Sequence, residues 1–272
     1  MKFFIKKDYS PNTIGRHIKH LKSILRAAKE EGLHSNTAFE TKDFRVTRMP
    51  VQNIYLTEDE IRRLLDLQLE GFDEKVRDLF LIGCYTAQRF SDYKRINPDM
   101  MVTLPNGSRS IELIQKKTGT KVIIPIRPEL DYLLKKYNYH SPRASEQKGN
   151  NHIKEIARGA GITDLVALEK TRGGLRKSET LPKCDLIMTH TARRSGCTNM
   201  FKAGIPTIEI MKISGHQTER EFLKYILIDE EETAERLSVN PYFNQPVERL
   251  TEKPDGQKLP IELHHLLDFS SN

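Results

Sequence analysis

Four segments of this chain hold side chains able to grip an anion or move a proton. The first is THTARRSGCTNM, residues 189–200. His190 and Arg193 stand three residues apart there and so share one face of a helix. Thr189 is the expected N-cap, which puts both in the first turn. Unpaired backbone N–H groups and the positive end of the helix dipole favour a bound phosphate at such a position. An arginine adds a two-pronged donor for the phosphate oxygens. Taken alone, the pair is equally an ordinary charged first turn, packed through Cys197, Met200 and Phe201.

The second segment is ISGHQTEREFLKYI, residues 213–226. Ser214-Gly215 breaks one helix, His216 lies in the turn, and Thr218 with Glu221 caps the next helix. Phe222, Tyr225 and Ile226 follow on a helix face, where an isolated tyrosine reads as a core residue. The third is TAQRFSDYKRI, residues 86–96, in which Arg89 ends a very apolar helix (LFLIGCY). A charge at the edge of a core is costly unless paired, so Arg89 needs either Asp92 or a bound anion. The fourth is QKKTGTKVIIPI, residues 115–126, where Lys116, Lys117 and Lys121 crowd a tight turn that reads equally well as a charged, soluble hairpin tip.

The elements that must position these groups are mostly helical. Ser10-Pro11 starts a helix whose residues Ile14, Ile18, Leu21, Leu25 and Ala28 recur at three- and four-residue steps until Gly32 ends it. Arg16, Lys19, Lys22, Arg26 and Lys29 form its other face. One amphipathic helix cannot bury its stripe alone, so it packs on the rest of the chain or on helices preceding it. Residues 40–56 read as a linker. Thr57 with Glu60 forms a capping box that opens a helix burying Ile61, Leu64 and Leu65, and another helix covers 73–88. Residues 100–126 hold three short strands, MVTL, SIELIQ and KVIIPI, joined by Pro105-Asn106-Gly107 and Thr118-Gly119. Helices resume at 129–138, 148–160, 190–203, 206–213, 219–228 and 230–238. The fold class is α+β, mainly α, with one small three-stranded antiparallel sheet.

The 272 residues are 37 % hydrophobic, enough for one large or two smaller cores. No run of 18 apolar residues predicts a membrane span, and MKFFIKKDYS lacks the apolar stretch and cleavage site of a signal peptide. Cys84, Cys184 and Cys197 show no CxxC or metal-ligand spacing. They predict reduced thiols, hence a cytoplasmic protein, with no cysteine metal site. The net charge of +7 is unevenly spread. Residues 1–48 hold 11 Lys and Arg against 5 Asp and Glu, and residues 170–202 hold 8 against 2; residues 226–272 reverse this with 4 against 10. Two basic regions suggest a polyanion partner, since cations facing phosphates gain from counterion release.

In combination and in this order, the segments resemble the tyrosine recombinases, or phage-type integrases. That family carries an arginine in T-G-x-R-x-S-[DE], a lysine in a β-hairpin, H-x-x-R, G-H, and a tyrosine nine residues beyond that histidine. This chain has TAQRFSD, QKKTG, HTAR, SGH and Tyr225, with His216 and Tyr225 nine residues apart. The resemblance spans roughly residues 10–240, and several segments are phrased like integrases of mobile elements in Bacteroides-type bacteria. It implies a site-specific recombinase that cuts and rejoins double-stranded DNA through a 3′-phosphotyrosine with neither metal nor cofactor, as several protomers, a tetramer on paired sites. Tyr225 would be the nucleophile, Arg89 and Arg193 would hold the non-bridging oxygens, and His190 would move the tyrosine proton. Lys117, or alternatively Lys116 and less readily Lys121, would protonate the leaving 5′-oxygen, and His216 would hydrogen-bond the phosphate. DNA contacts are expected from Arg16, Lys19, Lys22, Arg26 and Arg194. The chemistry suits the residues, because two guanidinium forks match the charge built up on a phosphodiester under attack. A tyrosine hydroxyl, with an ordinary pKa of about 10, needs a base or cations to become a good nucleophile.

The implied organisation is a partial helical (SAM-like) core-binding domain over 1–48, a catalytic domain over 49–245 and a tail over 246–272. The tail contains LPIELHHLLDF, whose adjacent His264 and His265 do not read as metal ligands. Three departures from the family pattern stand near the site. Ala87 replaces a usual Gly, Gln88 a usual apolar residue, and Gly196 a usual bulky residue; a glycine inside a helix should cost up to about 1 kcal/mol and some packing. The competing readings are a truncated DNA-binding relative without turnover and a DNA-relaxing enzyme with the same chemistry and no site preference.

Overall fold

The computed structural model describes residues 2–42, 44–46, 49 and 51–244. The expected tail, including His264 and His265, lies outside these residues. The chain forms two compact units, residues 1–227 and 228–272. Within the described part of the second unit is one helix, α11 (Glu230–Ser238), capped by the Asp229 carboxylate on the Glu232 N–H at 2.8 Å.

The first unit begins with α1 (Lys2–Lys6) and α2 (Pro11–Glu30). The Ser10 hydroxyl accepts the Thr13 N–H at 3.2 Å, as its N-cap role requires. The stripe of α2 is only partly covered: Ile14 and Ile18 are buried, whereas Leu21 and Ile24 are exposed. Beyond the 3₁₀ turn Ala38–Glu40, the described residues between 41 and 56 form neither helix nor strand, yet the end of the stretch is pinned. The Leu56 N–H donates to Ser195 Oγ at 2.8 Å, and Asn199 Nδ2 donates to the Leu56 carbonyl at 3.0 Å.

Next come α3 (Glu58–Asp66), α4 (Gly71–Thr86) and the single turn α5 (Phe90–Tyr93). The capping box at Thr57 and Glu60 forms in both directions. Strands β1 (Met101–Thr103), β2 (Arg109–Ile114) and β3 (Lys121–Pro125) make the expected antiparallel sheet in the order β1-β2-β3. Its register sets Ile111 opposite Ile124 and Leu113 opposite Val122, so these four alternate residues bury one face. Helices α6 (Pro128–Lys136) and α7 (Glu146–Gly159) complete the core around the buried Leu79–Ile82 run of α4.

A hairpin that sequence patterning does not reveal follows. Strands β4 (Leu165–Arg172) and β5 (Leu175–Pro182) pair along eight residues each, joined by Gly173-Gly174, and most of their residues are exposed. Then come α8 (Thr189–Lys202), α9 (Thr207–Ser214) and α10 (Glu219–Phe222). The helix expected over 219–228 therefore stops early. A 3₁₀ turn over Leu223–Tyr225 follows, and Ile226 is extended. The Thr198 hydroxyl explains the stop: it donates to the Tyr225 carbonyl at 2.7 Å and accepts the Leu227 N–H at 3.3 Å, which occupies groups a continuing helix would pair.

Helices α4 and α8 pack closely because glycines face the contact. A Cβ on Gly196 would overlap the Cys84 carbonyl oxygen and lie 3.0 Å from Ala87 Cβ. A Cβ on Gly83 would lie 2.6 Å from the Tyr93 ring. The packing loss expected from Gly196 is thus not what the fold contains; the missing side chain is the condition for the helix–helix contact. All three cysteines are buried and unpaired. No helix among the described residues is long and apolar enough to cross a membrane.

Candidate active site

Ala87 ends α4 with a left-handed backbone, φ 52°, a conformation glycine adopts more readily. The reversal buries Gln88 and brings Arg89 out, half-buried, at the start of α5. Asp92 is not its partner. The carboxylate of Asp92 accepts the Lys116 backbone N–H at 2.8 Å and lies 3.6 Å from Arg95. Arg89 Nη1 instead donates to Gln115 Oε1 at 3.0 Å, because the start of the β2–β3 turn lies over the end of α4.

Helix α8 supplies the second set. Its N-cap is Met188, one residue before the expected Thr189. The Thr189 hydroxyl donates to Glu146, and its N–H donates to Asn150 Oδ1 at 2.7 Å. Those partners take up the Thr189 hydroxyl and N–H, so neither group is open to an anion. His190 is half-buried and Arg193 fully buried. Arg193 Nη1 donates to the carbonyls of Ala87 at 3.1 Å and Ser214 at 2.8 Å. Its Nη2 lies 2.9 Å from His216 Nε2. An arginine only donates, so that imidazole nitrogen accepts, and Nδ1 carries the proton toward Ser214 Oγ at 2.8 Å.

Helix α9 ends at Gly215 with φ 72°, which turns His216 inward. From there α10 returns the chain, anchored by the fully buried Phe222 in a small cluster with Ala87, Cys197 and Ile210. Tyr225 packs on that cluster. Its hydroxyl lies 2.9 Å from His190 Nε2, its ring lies 4.5 Å from the His216 ring, and the Arg193 guanidinium sits 5.4 Å from its ring centre.

These contacts set the protonation states. Burial, then the charges of Arg194, Arg193, Arg89 and Lys117, push His190 down to about 4. Burial, then Arg193, Arg89 and His190, push His216 down to about 3. Both imidazoles are therefore neutral near pH 7, and with its proton on Nδ1 His190 can accept the Tyr225 hydroxyl proton at Nε2. Burial also lowers Arg193 and Arg194, although both remain cations.

Arg89, His190, Arg193, His216 and Tyr225 thus converge. Lys117 is exposed in the β2–β3 turn, and its charge reaches His190. Of the alternatives, Lys121 pairs with Glu112 at 2.8 Å. Arg194 is half-buried beside this cluster. Arg16, Lys19 and Arg26 stand exposed on α2, while Lys22 donates to the Phe44 carbonyl at 2.8 Å. Sequence patterning did not point to Gln115, Thr198 or Ser214. Their partners lie 21 or more residues away or depend on a turn, and no local spacing signals them.

The phage integrase family model matches residues 54–232. No curated protein matches the chain. Among solved structures it is similar in fold to residues 75–356 of lambda integrase, a dimer bound to a COC′ core site, with TM-score 0.57 and 16 % identity over 76 % of this chain and 70 % of that one. It is also similar to residues 82–397 of the Tn1549 transposon integrase in complex with circular intermediate DNA, with TM-score 0.52 and 16 % identity over 85 % and 79 %. Against the XerH site-specific recombinase bound to its difH substrate, TM-score 0.47 and 15 % identity, the match takes in 68 % of this chain but only about half, 52 %, of the XerH chain. The family match takes in every residue of the convergent cluster and well over half of the sequence, and the chain belongs to the phage integrase family.

Proposed function

We propose that this protein is a site-specific DNA recombinase that cuts and rejoins double-stranded DNA through a covalent 3′-phosphotyrosine at Tyr225. The observation that carries the proposal is the 2.9 Å contact between the Tyr225 hydroxyl and a neutral His190, with Arg193 and Arg89 beside it. The Tyr225 oxygen attacks phosphorus and its proton passes to His190 Nε2. The bond from phosphorus to the 5′-oxygen breaks, and Lys117 supplies that oxygen with a proton. Arg89 and Arg193 hold the non-bridging oxygens as charge builds on them. Rejoining reverses the step, and the phosphotyrosyl bond conserves the energy of the bond it replaced.

His216 would also hydrogen-bond the phosphate. With Nε2 accepting from Arg193, it has no N–H to offer there. Donation requires the other tautomer, with the Ser214 hydroxyl turned to donate to Nδ1 and Arg193 Nη2 turned to the phosphate. The choice of Lys117 over Lys116 rests on its charge acting at His190.

Residues 49–245 would form the catalytic domain and 1–48 a partial core-binding element. Arg16, Lys19, Arg26 and Arg194 would meet DNA phosphates, joined by Lys22 once it leaves the Phe44 carbonyl. The working form would be several protomers, a tetramer on paired sites. The lambda integrase dimer bound to a COC′ core site supports an oligomer on DNA.

The test uses nicked duplexes tiled across the DNA flanking the gene. Wild-type protein should give a protein–DNA band that survives SDS, and Tyr225→Phe should abolish it while leaving binding intact. Footprinted binding with no such band from the wild type would overturn the proposal and leave a DNA-binding protein without turnover.

A further inference from the structure

Gln115 stands one residue outside the lysines of the hairpin turn, is 1 % exposed, and has no counterpart in the mechanism above. Its amide uses all of its hydrogen-bonding capacity. Oε1 accepts from Arg89 Nη1 at 3.0 Å and from the Thr118 hydroxyl at 2.9 Å. Nε2 donates to Gln88 Oε1 at 2.6 Å and to the Ser214 carbonyl at 2.7 Å. The orientation of the amide is determined by its partners, because an arginine can only donate and a carbonyl can only accept.

The same logic extends to Gln88, which is fully buried. Its Nε2 donates to the carbonyls of Thr86 at 3.0 Å and Ile213 at 2.8 Å, so its Oε1 must accept. The two glutamines form a one-directional chain from the ends of α4 and α9 to the guanidinium of Arg89. Room for it exists only because residue 215 is a glycine: a Cβ there would lie 2.5 Å from the Gln115 amide. Buried amides with every partner satisfied are rigid, and a partly satisfied one is costly, so the network has a single low-energy arrangement.

We infer that Gln115 is a positioning residue for phosphoryl transfer, holding Arg89 at the angle from which its fork meets the scissile phosphate, with Gln88 as its brace. Among the described residues Arg89 pairs with no carboxylate, and Asp92, the nearest candidate in sequence, directs its Oδ1 to the Lys116 N–H and Arg95 rather than to Arg89. A neutral amide suits the task. It aims the guanidinium without neutralising it, so the full positive charge stays available to the phosphate, whereas a carboxylate in the same place would compete with the substrate.

The inference rests on the recombinase reading, and the test separates the two. Single-turnover cleavage of a nicked substrate, equilibrium DNA binding and thermal unfolding are measured for wild type, Gln115→Met, Arg89→Ala and the double variant. Methionine keeps the length and volume of the side chain and removes the amide. Misplacing one clamp arm by about 1 Å should slow cleavage roughly 10- to 100-fold, with binding changed by less than about 3-fold. In the Arg89→Ala background, the same substitution should cost less than about 3-fold, since a residue that acts through Arg89 has nothing left to act on. If Gln115→Met does not fold, Gln115→Asn, which keeps an amide but withdraws it by one methylene, takes its place in the cycle. Wild-type cleavage rates in the Gln115 variant, or a loss that multiplies in full with Arg89→Ala, would overturn the positioning role. Absence of cleavage by the wild type itself on a footprinted site would overturn the recombinase reading and the positioning role with it.

Discussion

The Tyr225 hydroxyl lies 2.9 Å from His190 Nε2, although 35 residues separate them in the chain. Burial, and after it a basic surround, holds that imidazole neutral, so the ring nitrogen nearest the tyrosine hydroxyl can accept its proton near pH 7. The cations that add to the effect of burial on His190 include the two arginines proposed to bind the phosphate, Arg193 and Arg89. Substrate binding therefore partly cancels their field and raises the affinity of His190 for the proton it receives.

Two acid limbs follow for the cleavage reaction. His190 in the free protein titrates at about 4, so kcat/KM for covalent-complex formation should be flat from pH 8 to near 5 and fall toward 4. The first-order rate in the preformed complex should begin to fall at higher pH, because the bound phosphate offsets the nearby positive charge. Single-turnover rates at saturating and limiting protein, from pH 4.5 to 8, check this. Coincident limbs, or a free-protein limb at the ordinary histidine value, would exclude His190 as the proton acceptor.

Folding stability should depend on pH through the same two imidazoles. Both are lowered in the folded protein, to about 4 for His190 and about 3 for His216, from an ordinary 6.5. Below pH 6.5 the unfolded chain binds protons that the folded chain refuses. This contribution is thus fully present above 6.5 and is lost as pH falls from there through the folded values. Thermal melts should shift downward between pH 7 and pH 5, and His190→Gln with His216→Gln should flatten the slope. An unchanged slope in the double variant would assign the pH dependence to other groups.

Gly196→Ala should destabilise the protein, against its helix propensity. Alanine gains up to about 1 kcal/mol inside an exposed helix. At position 196 its Cβ would overlap the Cys84 carbonyl and press on Ala87, and overpacking of this kind typically costs about 1–3 kcal/mol. The urea midpoint should fall with the slope of the transition unchanged. A raised midpoint would show that α4 and α8 can separate without penalty.

Thr198→Val should loosen the segment carrying Tyr225. Valine keeps the shape and removes the hydroxyl that holds the Tyr225 carbonyl and the Leu227 N–H. Leaving such groups unpaired costs about 1–3 kcal/mol, and a displaced nucleophile should slow cleavage roughly 10- to 100-fold. Unaltered cleavage by Thr198→Val would mean that Phe222 alone places the tyrosine.

Much of this molecule is written locally. The caps at Ser10 and Thr57, the alternating strands of the small sheet, the SGH turn and the spacing from His190 to Arg193 depend on neighbours a few residues away, so reading along the chain recovers them. Arg89, Lys117, His190, Arg193, His216 and Tyr225 were each ambiguous in their own short segments and were picked out as a set by the resemblance to the tyrosine recombinases. The β4–β5 hairpin was not legible. Its strands are rich in charged and hydroxyl residues with little apolar alternation, and cross-strand pairing about the Gly173-Gly174 turn defines it instead. Nor could local patterning show that Arg89 turns to Gln115 rather than Asp92, that Gly196 is a contact rather than a defect, or that the helix before Tyr225 stops short. Each is decided by a partner from a distant part of the chain: Gln115 across 26 residues, the Cys84 carbonyl on another helix, the Thr198 hydroxyl across 27. Backbone preference and side-chain period act over one or two turns and so determine the elements and the chemical groups they carry. Hydrogen bonds and steric limits between elements exist only once the chain has closed on itself, and those decide where the reacting atoms meet.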